Sequence, residues 1–304
     1  MRDTTTVLLT GANGFLGQQL TRDLLDAGFR VLGTGKGPQR IDLPETEQAF
    51  AYADADITDD ARMHSIVDAY RPSIVVHAAA MTQADECQQN TEACESVNVR
   101  ATAQLLLSAE ACAAYFLYVS TDFVFDGVQG NYTEEDDANP VNYYGFTKMQ
   151  AEAIVQTSEI PFGIARTCLV YGNHPGGTRN NVVTWVKQSL HQQKPIKVVT
   201  DQWRTPTWVN DLSAGIVQMI RQRAGGIFHL SGEEKMSPYE MAVAVAKQYG
   251  FNSSLIEPVN AATFTQPAKR PPVTGFDISK AKSILGYRPH RFEEALSQMQ
   301  RERP

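Results

Sequence analysis

Along the first half of the chain two patterns alternate. Short apolar runs rich in β-branched and aromatic residues occur at 6–10, 30–34, 73–77, 115–119 and 162–166. Between most of them lie longer segments with helical spacing of apolar residues, near 15–27, 60–70, 92–112 and 143–157. Strand–helix alternation of this kind predicts a parallel sheet covered by helices on both faces. Right-handed crossovers then make the sheet doubly wound. The second half is less regular. After a Gly- and Asn-rich loop at 172–181, it predicts helices near 182–193, 210–222 and 237–249 and strands at 196–200 and 227–230. Short helices follow near 279–285 and 292–301. On this pattern residues 1–170, with about 208–230, form the sheet domain. Residues 171–207 and 231–304 form a smaller lobe.

Composition narrows the classes of function. The chain has 304 residues, 42% hydrophobic and 20% charged, the profile of an ordinary globular protein. No apolar run approaches the ~20 residues of a membrane helix. The Val7-Leu8-Leu9 stretch near the start is too short for the apolar core of a secretory signal. The net charge of −7, from 27 Lys and Arg against 34 Asp and Glu, disfavours a nucleic-acid surface. An anionic small molecule needs only a local positive pocket and remains compatible. The four cysteines, Cys87, Cys94, Cys112 and Cys168, form no CxxC pair and no zinc-like spacing. The expectation is a cytoplasmic protein with reduced thiols, no metal and no membrane partner.

The first strand runs into Gly11-Ala12-Asn13-Gly14-Phe15-Leu16-Gly17, which opens a helix. Gly11 suits a tight turn, Gly14 lets a pyrophosphate approach the backbone, and Gly17 lets the helix pack close to the sheet. Free N–H groups and the positive end of the helix dipole then favour phosphate. In this context the glycines predict a Rossmann-like dinucleotide site. The second strand ends Gly33-Thr34-Gly35-Lys36-Gly37, without the acid that usually meets the ribose 2′-OH of NAD. Lys36 and Arg40 stand nearby, either as solvated loop cations or as partners of a 2′-phosphate. The preferred cofactor is therefore NADP, with NAD possible. Asp56-Ile57 follows the third strand, beside the expected adenine position. Ala78-Ala79-Ala80 follows the fourth, where small residues let a cofactor lie flat on the sheet edge. His77 reads as structural.

The fifth strand ends in Ser120-Thr121-Asp122, and chemistry in open parallel sheets lies beyond the carboxyl ends of the strands. The next helix carries Tyr144 and Lys148, four apart and so on one face. An ammonium beside a phenol favours the phenolate and lowers its pKa toward the range that acid–base catalysis needs. A Ser or Thr hydroxyl can polarise a substrate carbonyl.

Together, Gly11-x-x-Gly14-x-x-Gly17, Thr121 and Tyr144-x-x-x-Lys148 resemble the extended short-chain dehydrogenase/reductase superfamily. Three stretches are similar to the dTDP-4-dehydrorhamnose reductase family within it: Ser120–Gly127, Tyr144–Glu152 and Arg166–Gly172. Asn180-Asn181, Asp201-Gln202-Trp203 with Pro206-Thr207, and Arg270-Pro271 continue the similarity, which runs from about 5 to 298. The resemblance implies NAD(P)H-dependent reduction of the C4 ketone of a nucleotide-linked 4-keto-6-deoxy sugar. Tyr144 would donate the proton, Lys148 would tune Tyr144 and bind the nicotinamide ribose, and Thr121 would hold the carbonyl oxygen. Asn98 would support the lysine or serve only as a helix-side polar residue. Ser120, Asp122, Phe123, Asn180, Asn181, Trp203, Arg204 and Arg270 are the candidate substrate residues. A homodimer is the assembly common among such relatives.

There are departures. Phe123 stands where the family usually has Tyr, and Arg204-Thr205 where a small residue is common before the Pro-Thr. Arg204 either reaches a substrate phosphate or lies on the surface. Trp185, Trp203 and Trp208 either stack on the nucleotide base or pack the lobe. Two other functions stay open: a nucleotide-sugar epimerase or dehydratase of the same superfamily, and a non-catalytic NADP-binding subunit resembling the regulatory subunit of methionine adenosyltransferase.

Overall fold

The computed structural model describes residues 5–44, 47–173 and 181–301. Six strands, β1 (Thr6–Thr10), β2 (Arg30–Gly35), β3 (Phe50–Asp54), β4 (Ile74–His77), β5 (Tyr115–Thr121) and β6 (Phe162–Thr167), come from the segment before residue 168. The second half adds β7 (Val170–Tyr171), β8 (Ile196–Val199), β9 (Thr207–Trp208), β10 (Gly226–His229) and β11 (Ile256–Val259). The helices are α1 (Phe15–Asp26), α2 (Asp60–Tyr70), α3 (Ala84–Gln89), α4 (Thr91–Glu95), α5 (Ala101–Glu110), α6 (Tyr143–Gln156), α7 (Val182–His191), α8 (Val209–Gln222), α9 (Pro238–Tyr249) and α10 (Phe292–Arg301).

Seven strands form one sheet in the order β10-β6-β5-β4-β1-β2-β3, every neighbouring pair parallel. The order reverses between β1 and β4, so a crevice opens beyond their carboxyl ends. Val7 and Leu9 face one apolar layer and Leu8 the other, as period-2 alternation in a doubly covered sheet requires. One layer includes Leu20 and Leu24 of α1 with Leu212 and Ile216 of α8. The other includes Met63 and Ile66 of α2 with Leu105 of α5 and Val155 of α6. β10 pairs with β6, so the chain returns to the sheet after leaving it at residue 167.

The remaining segments build a lobe with its own apolar cluster. Val186 and Leu190 of α7, Met241 and Val245 of α9 and Leu296 and Met299 of α10 pack on Ile196 and Val198 of β8. β8 pairs with β11 in a two-stranded sheet. β11 breaks its apolar pattern with Glu257 and Pro258, which hides it from periodicity. Helix 92–112 is a second difference. In its place come α4, a π turn over Ser96–Arg100, and α5. A π turn adds one residue to the helical repeat and re-aims the side chains after it, a change that composition does not mark.

Candidate active site

At the cofactor end, Gly11 has φ 71°, a conformation that glycine adopts without strain. A Cβ there would come within 2.9–3.0 Å of the Ala78–Ala79 backbone. The turn after β1 and the Ala78–Ala80 segment after β4 are therefore in contact across the crevice. A Cβ on Gly17 would lie 2.1 Å from the Gly11 carbonyl oxygen, so helix and turn meet only through glycine. Gly14 is the N-cap of α1 and is exposed, it offers no side-chain cap, and no acid sits in the first turn. A helix N-terminus of this kind fits a dinucleotide pyrophosphate.

The other expected cofactor residues surround this turn. Phe15 and Leu16 are half-buried at the start of α1. Asn13 lies between the turn and the loop after β2, and its side chain bonds to that loop. Lys36 pairs with Asp56 at 2.7 Å, which ties the β2 and β3 loops together. Ile57, beside it, is buried. Arg40 is exposed at the edge of the loop. His77 is buried between Thr10 (Oγ1, 2.8 Å) and Thr102 (Oγ1, 3.0 Å), and burial pushes its pKa down to about 3. It is a neutral structural residue.

At the catalytic end, α6 starts with Asn142 as its N-cap, the side chain accepting from Gly145 N at 2.9 Å. The cap directs the first turn so that Tyr144 and Lys148 face inward, and both are buried. Thr121, the last residue of β5, lies near Tyr144, and its hydroxyl opposes the rise in the phenol's pKa. Burial raises the Tyr144 pKa above its ordinary value. The phenol therefore holds its proton at neutral pH, as a general acid must. Lys148 donates to the Val119 carbonyl at 2.7 Å and lies 4.0 Å from the centre of the Tyr118 ring. Burial lowers its pKa to about 7, against the opposing charge of Glu152. Loss of hydration thus governs both groups, more than any direct influence of the ammonium on the phenol.

Asn98 sits in the π turn and is buried. Its amide donates to Met81 O (3.0 Å) and Thr147 Oγ1 (3.1 Å), and its oxygen accepts from Met81 N (2.8 Å). It anchors the segment after Ala80 and the turn of α6 that carries Lys148, acting on the lysine through Thr147. Thr147 bonds back to the Tyr144 carbonyl at 2.9 Å. Sequence reasoning passed over Thr147 because it contributes a fold contact and no obvious chemistry.

The candidate substrate residues separate into two groups. Ser120 is buried, and its hydroxyl finds no hydrogen-bond partner among the described residues. Phe123 packs edge-on against Tyr144, with ring centres 5.9 Å apart. Phe123 thus borders Tyr144, and Ser120 precedes Thr121 on β5. Asn181 instead caps α7, accepting from Val183 N and Thr184 N and donating to Gly172 O at 2.8 Å. Asn180 lies outside the described residues. Trp203 pairs through its backbone with Pro272 and Val273. Trp208 is buried in the lobe cluster, and Trp185 is half-exposed on α7.

Arg204 corrects both readings offered for it. It is only 5% exposed, and its guanidinium donates to the carbonyls of Trp203, Pro271 and Pro272 at 2.7, 2.7 and 3.1 Å. It also pairs with the Asp122 carboxylate at 3.6 Å. Such a side chain is neither a surface cation nor a free phosphate ligand. Asp122 in turn accepts from Thr121 (3.2 Å) and from Thr274. Arg270 is likewise engaged, holding Asp85 of α3 through two bonds of 2.6 and 2.7 Å. Together these pairs clamp the 268–277 strap of the lobe over α3, the N-terminus of α6 and the loop after Thr121. Ala268 of the strap packs in one cluster with Tyr144, Cys87 and Cys94.

A turn for a pyrophosphate, a Thr-Tyr-Lys set and a strap from a second lobe now share one crevice. A family model described as RmlD substrate binding domain matches residues 5–303. The chain belongs to this family. Its curated relatives include dTDP-4-dehydrorhamnose reductase of Aggregatibacter actinomycetemcomitans, 30% identical over 95% of this chain and 96% of that protein. Methionine adenosyltransferase 2 subunit beta of Rattus norvegicus is also 30% identical, over 91% of this chain and 82% of that one. Among solved structures, dTDP-4-dehydrorhamnose reductase of Bacillus anthracis in complex with NADP superimposes with a TM-score of 0.86 at 26% identity, covering 99% and 100% of the two chains. Among the described residues, no helix is long and apolar enough to cross a membrane.

Proposed function

We propose that this chain is an oxidoreductase that uses NADPH to reduce the C4 ketone of a nucleotide-linked 4-keto-6-deoxy sugar. The observation that carries the reading is the buried Thr121, Tyr144 and Lys148 set beside the Gly11–Gly17 turn, in a chain 30% identical to a dTDP-4-dehydrorhamnose reductase. A bound nicotinamide supplies the hydride. The N–H groups at the start of α1 hold the pyrophosphate, and Lys36 and Arg40 meet the 2′-phosphate. Tyr144 hydrogen-bonds the ketone oxygen and passes it a proton as charge develops there, and Thr121 joins it by turning its hydroxyl from Asp122 to that oxygen. Lys148, held by Val119 O, then supports the phenolate by its charge. The strap keeps water away from these side chains and orients the sugar over Phe123.

Two alternatives meet specific observations. A dehydratase needs acids free beside the catalytic hydroxyl, but the Asp122 carboxylate is committed to Arg204 and Thr274. The regulatory reading draws on the methionine adenosyltransferase relatives, which are as similar in identity as the reductase. Turnover separates the two. NADPH oxidation is followed against a panel of 4-keto-6-deoxy nucleotide sugars, dTDP-linked ones first. A reductase consumes NADPH with at least one of them; no consumption with any would sink the proposal. Light scattering checks the homodimer that the resemblance suggests.

A further inference from the structure

A dinucleotide site that prefers NAD places an acid at the end of its second strand, against the ribose 2′-OH. Here that strand ends at Gly35. A Cβ on Gly35 would lie 3.2 Å from the Tyr52 hydroxyl and 3.6 Å from the Asn13 side chain. The phenol of β3 thus stands where an acidic side chain would begin. The same hydroxyl lies 2.8 Å from Gly35 O and 2.9 Å from Gly37 O, and accepts from Asn13 Nδ2 at 2.7 Å. Asn13 also donates to Pro38 O (3.0 Å) and accepts from Arg40 N (2.9 Å). Asp54 accepts from Gly37 N at 2.8 Å. A phenol keeps its proton at neutral pH, and burial raises the Tyr52 pKa further.

Tyr52 and Asn13 therefore hold five backbone groups of 35–40, the carbonyls of Gly35, Lys36, Gly37 and Pro38 and the N–H of Arg40, and this is the segment that carries Lys36 and Arg40. We infer that Tyr52 is a specificity-determining residue: it positions Lys36 and Arg40 for a 2′-phosphate and excludes an acid from Gly35. This rests on the NADP reading above. Neither Tyr52 nor Asn13 needs to touch the phosphate to act in this way. A defect confined to the fold of the sheet would weaken both dinucleotides alike, whereas a positioning role falls on the phosphorylated one.

The test is calorimetric titration of the full chain with NADPH and with NADH. Tyr52→Phe is expected to lose about fivefold or more in NADPH affinity, while NADH changes by less than about twofold. Equal losses for both dinucleotides, or no loss for either, would overturn the inference. The double variant Tyr52→Ala with Gly35→Asp opens the space and supplies the acid. It is expected to bind NADH more tightly than NADPH, and a ratio that still favours NADPH would overturn the exclusion. Equal affinity of the unaltered chain for the two would instead remove the cofactor reading beneath it.

Discussion

Around the Gly11–Gly17 turn the protein holds its site with backbone groups, neutral side chains and charges open to water, whereas beyond β5 it relies on buried charge. The Asn13 and Tyr52 bonds to residues 35–40 are neutral and half-exposed, and the Lys36–Asp56 pair is open to water. At the other end, Lys148, Asp122 and Arg204 are each 5% exposed or less. Water screens the first region, so each of its contacts is worth little alone and the loop depends on their number. In the second, every charge has lost its hydration and must be matched by a partner. The difference also divides the roles. On the proposed function, the first end grips a cofactor whose own phosphates bring the charge, and the second changes the charge on a substrate oxygen and so keeps its groups dry.

If buried charge is what the catalytic end depends on, substitutions there should have the largest effects. Tyr144→Phe removes the proton donor and is expected to lower the rate by about 10²- to 10⁴-fold while NADPH affinity is retained. An unchanged rate would refute Tyr144 as the acid. Arg204→Met leaves Asp122 buried without its cation. Chemical denaturation should show a loss of about 3–5 kcal/mol, as for other broken buried pairs. A loss below ~1 kcal/mol would place Arg204 with the weak surface pairs.

Lys148 offers a prediction of the opposite sign. Its pKa falls from 10.5 to about 7 in the folded chain, so the unfolded chain binds more protons between those values. The burden of burying the ammonium is therefore complete below pH 7 and fades as pH rises toward 10.5. Lys148→Met should melt at a higher temperature than the parent near pH 7, with the gap narrowing by pH 10. A lower melting temperature at pH 7 would mean that the Val119 and Tyr118 contacts outweigh desolvation. The smallest effect belongs to the cofactor end. Arg40→Ala is expected to weaken NADPH by about tenfold and NADH hardly at all, measured by titration. Equal weakening would contradict a 2′-phosphate contact.

The same division explains what was legible from the residues. The glycine turn, Thr121, Tyr144 and Lys148 each sit at the end of an element or on one helix face, where local spacing fixes their place. Six of the seven strands of the large sheet are read to within a residue or two, whereas β3 is placed only as a strand before Asp56, with no range of its own. Arg204 was misread because its partners, Asp122 and the carbonyls of Pro271 and Pro272, lie 67 or more positions away. Arg270 finds Asp85 across 185 positions. Tyr52 was passed over because its hydroxyl acts on carbonyls of a neighbouring strand and loop, contacts that only the sheet register creates. Asn98 was noticed, but its route to the lysine depends on a π turn that helical periodicity does not reveal.

Hydride transfer to the sugar is the central claim, and isotope transfer tests it most directly. The chain is supplied with NADPH carrying deuterium in the transferable position at nicotinamide C4, together with a dTDP-linked 4-keto-6-deoxy sugar. The account predicts that the product is one mass unit heavier than with ordinary NADPH, with the deuterium on sugar C4 and one NADP⁺ formed per sugar. A product without deuterium, or a sugar altered with no NADPH consumed, would contradict it.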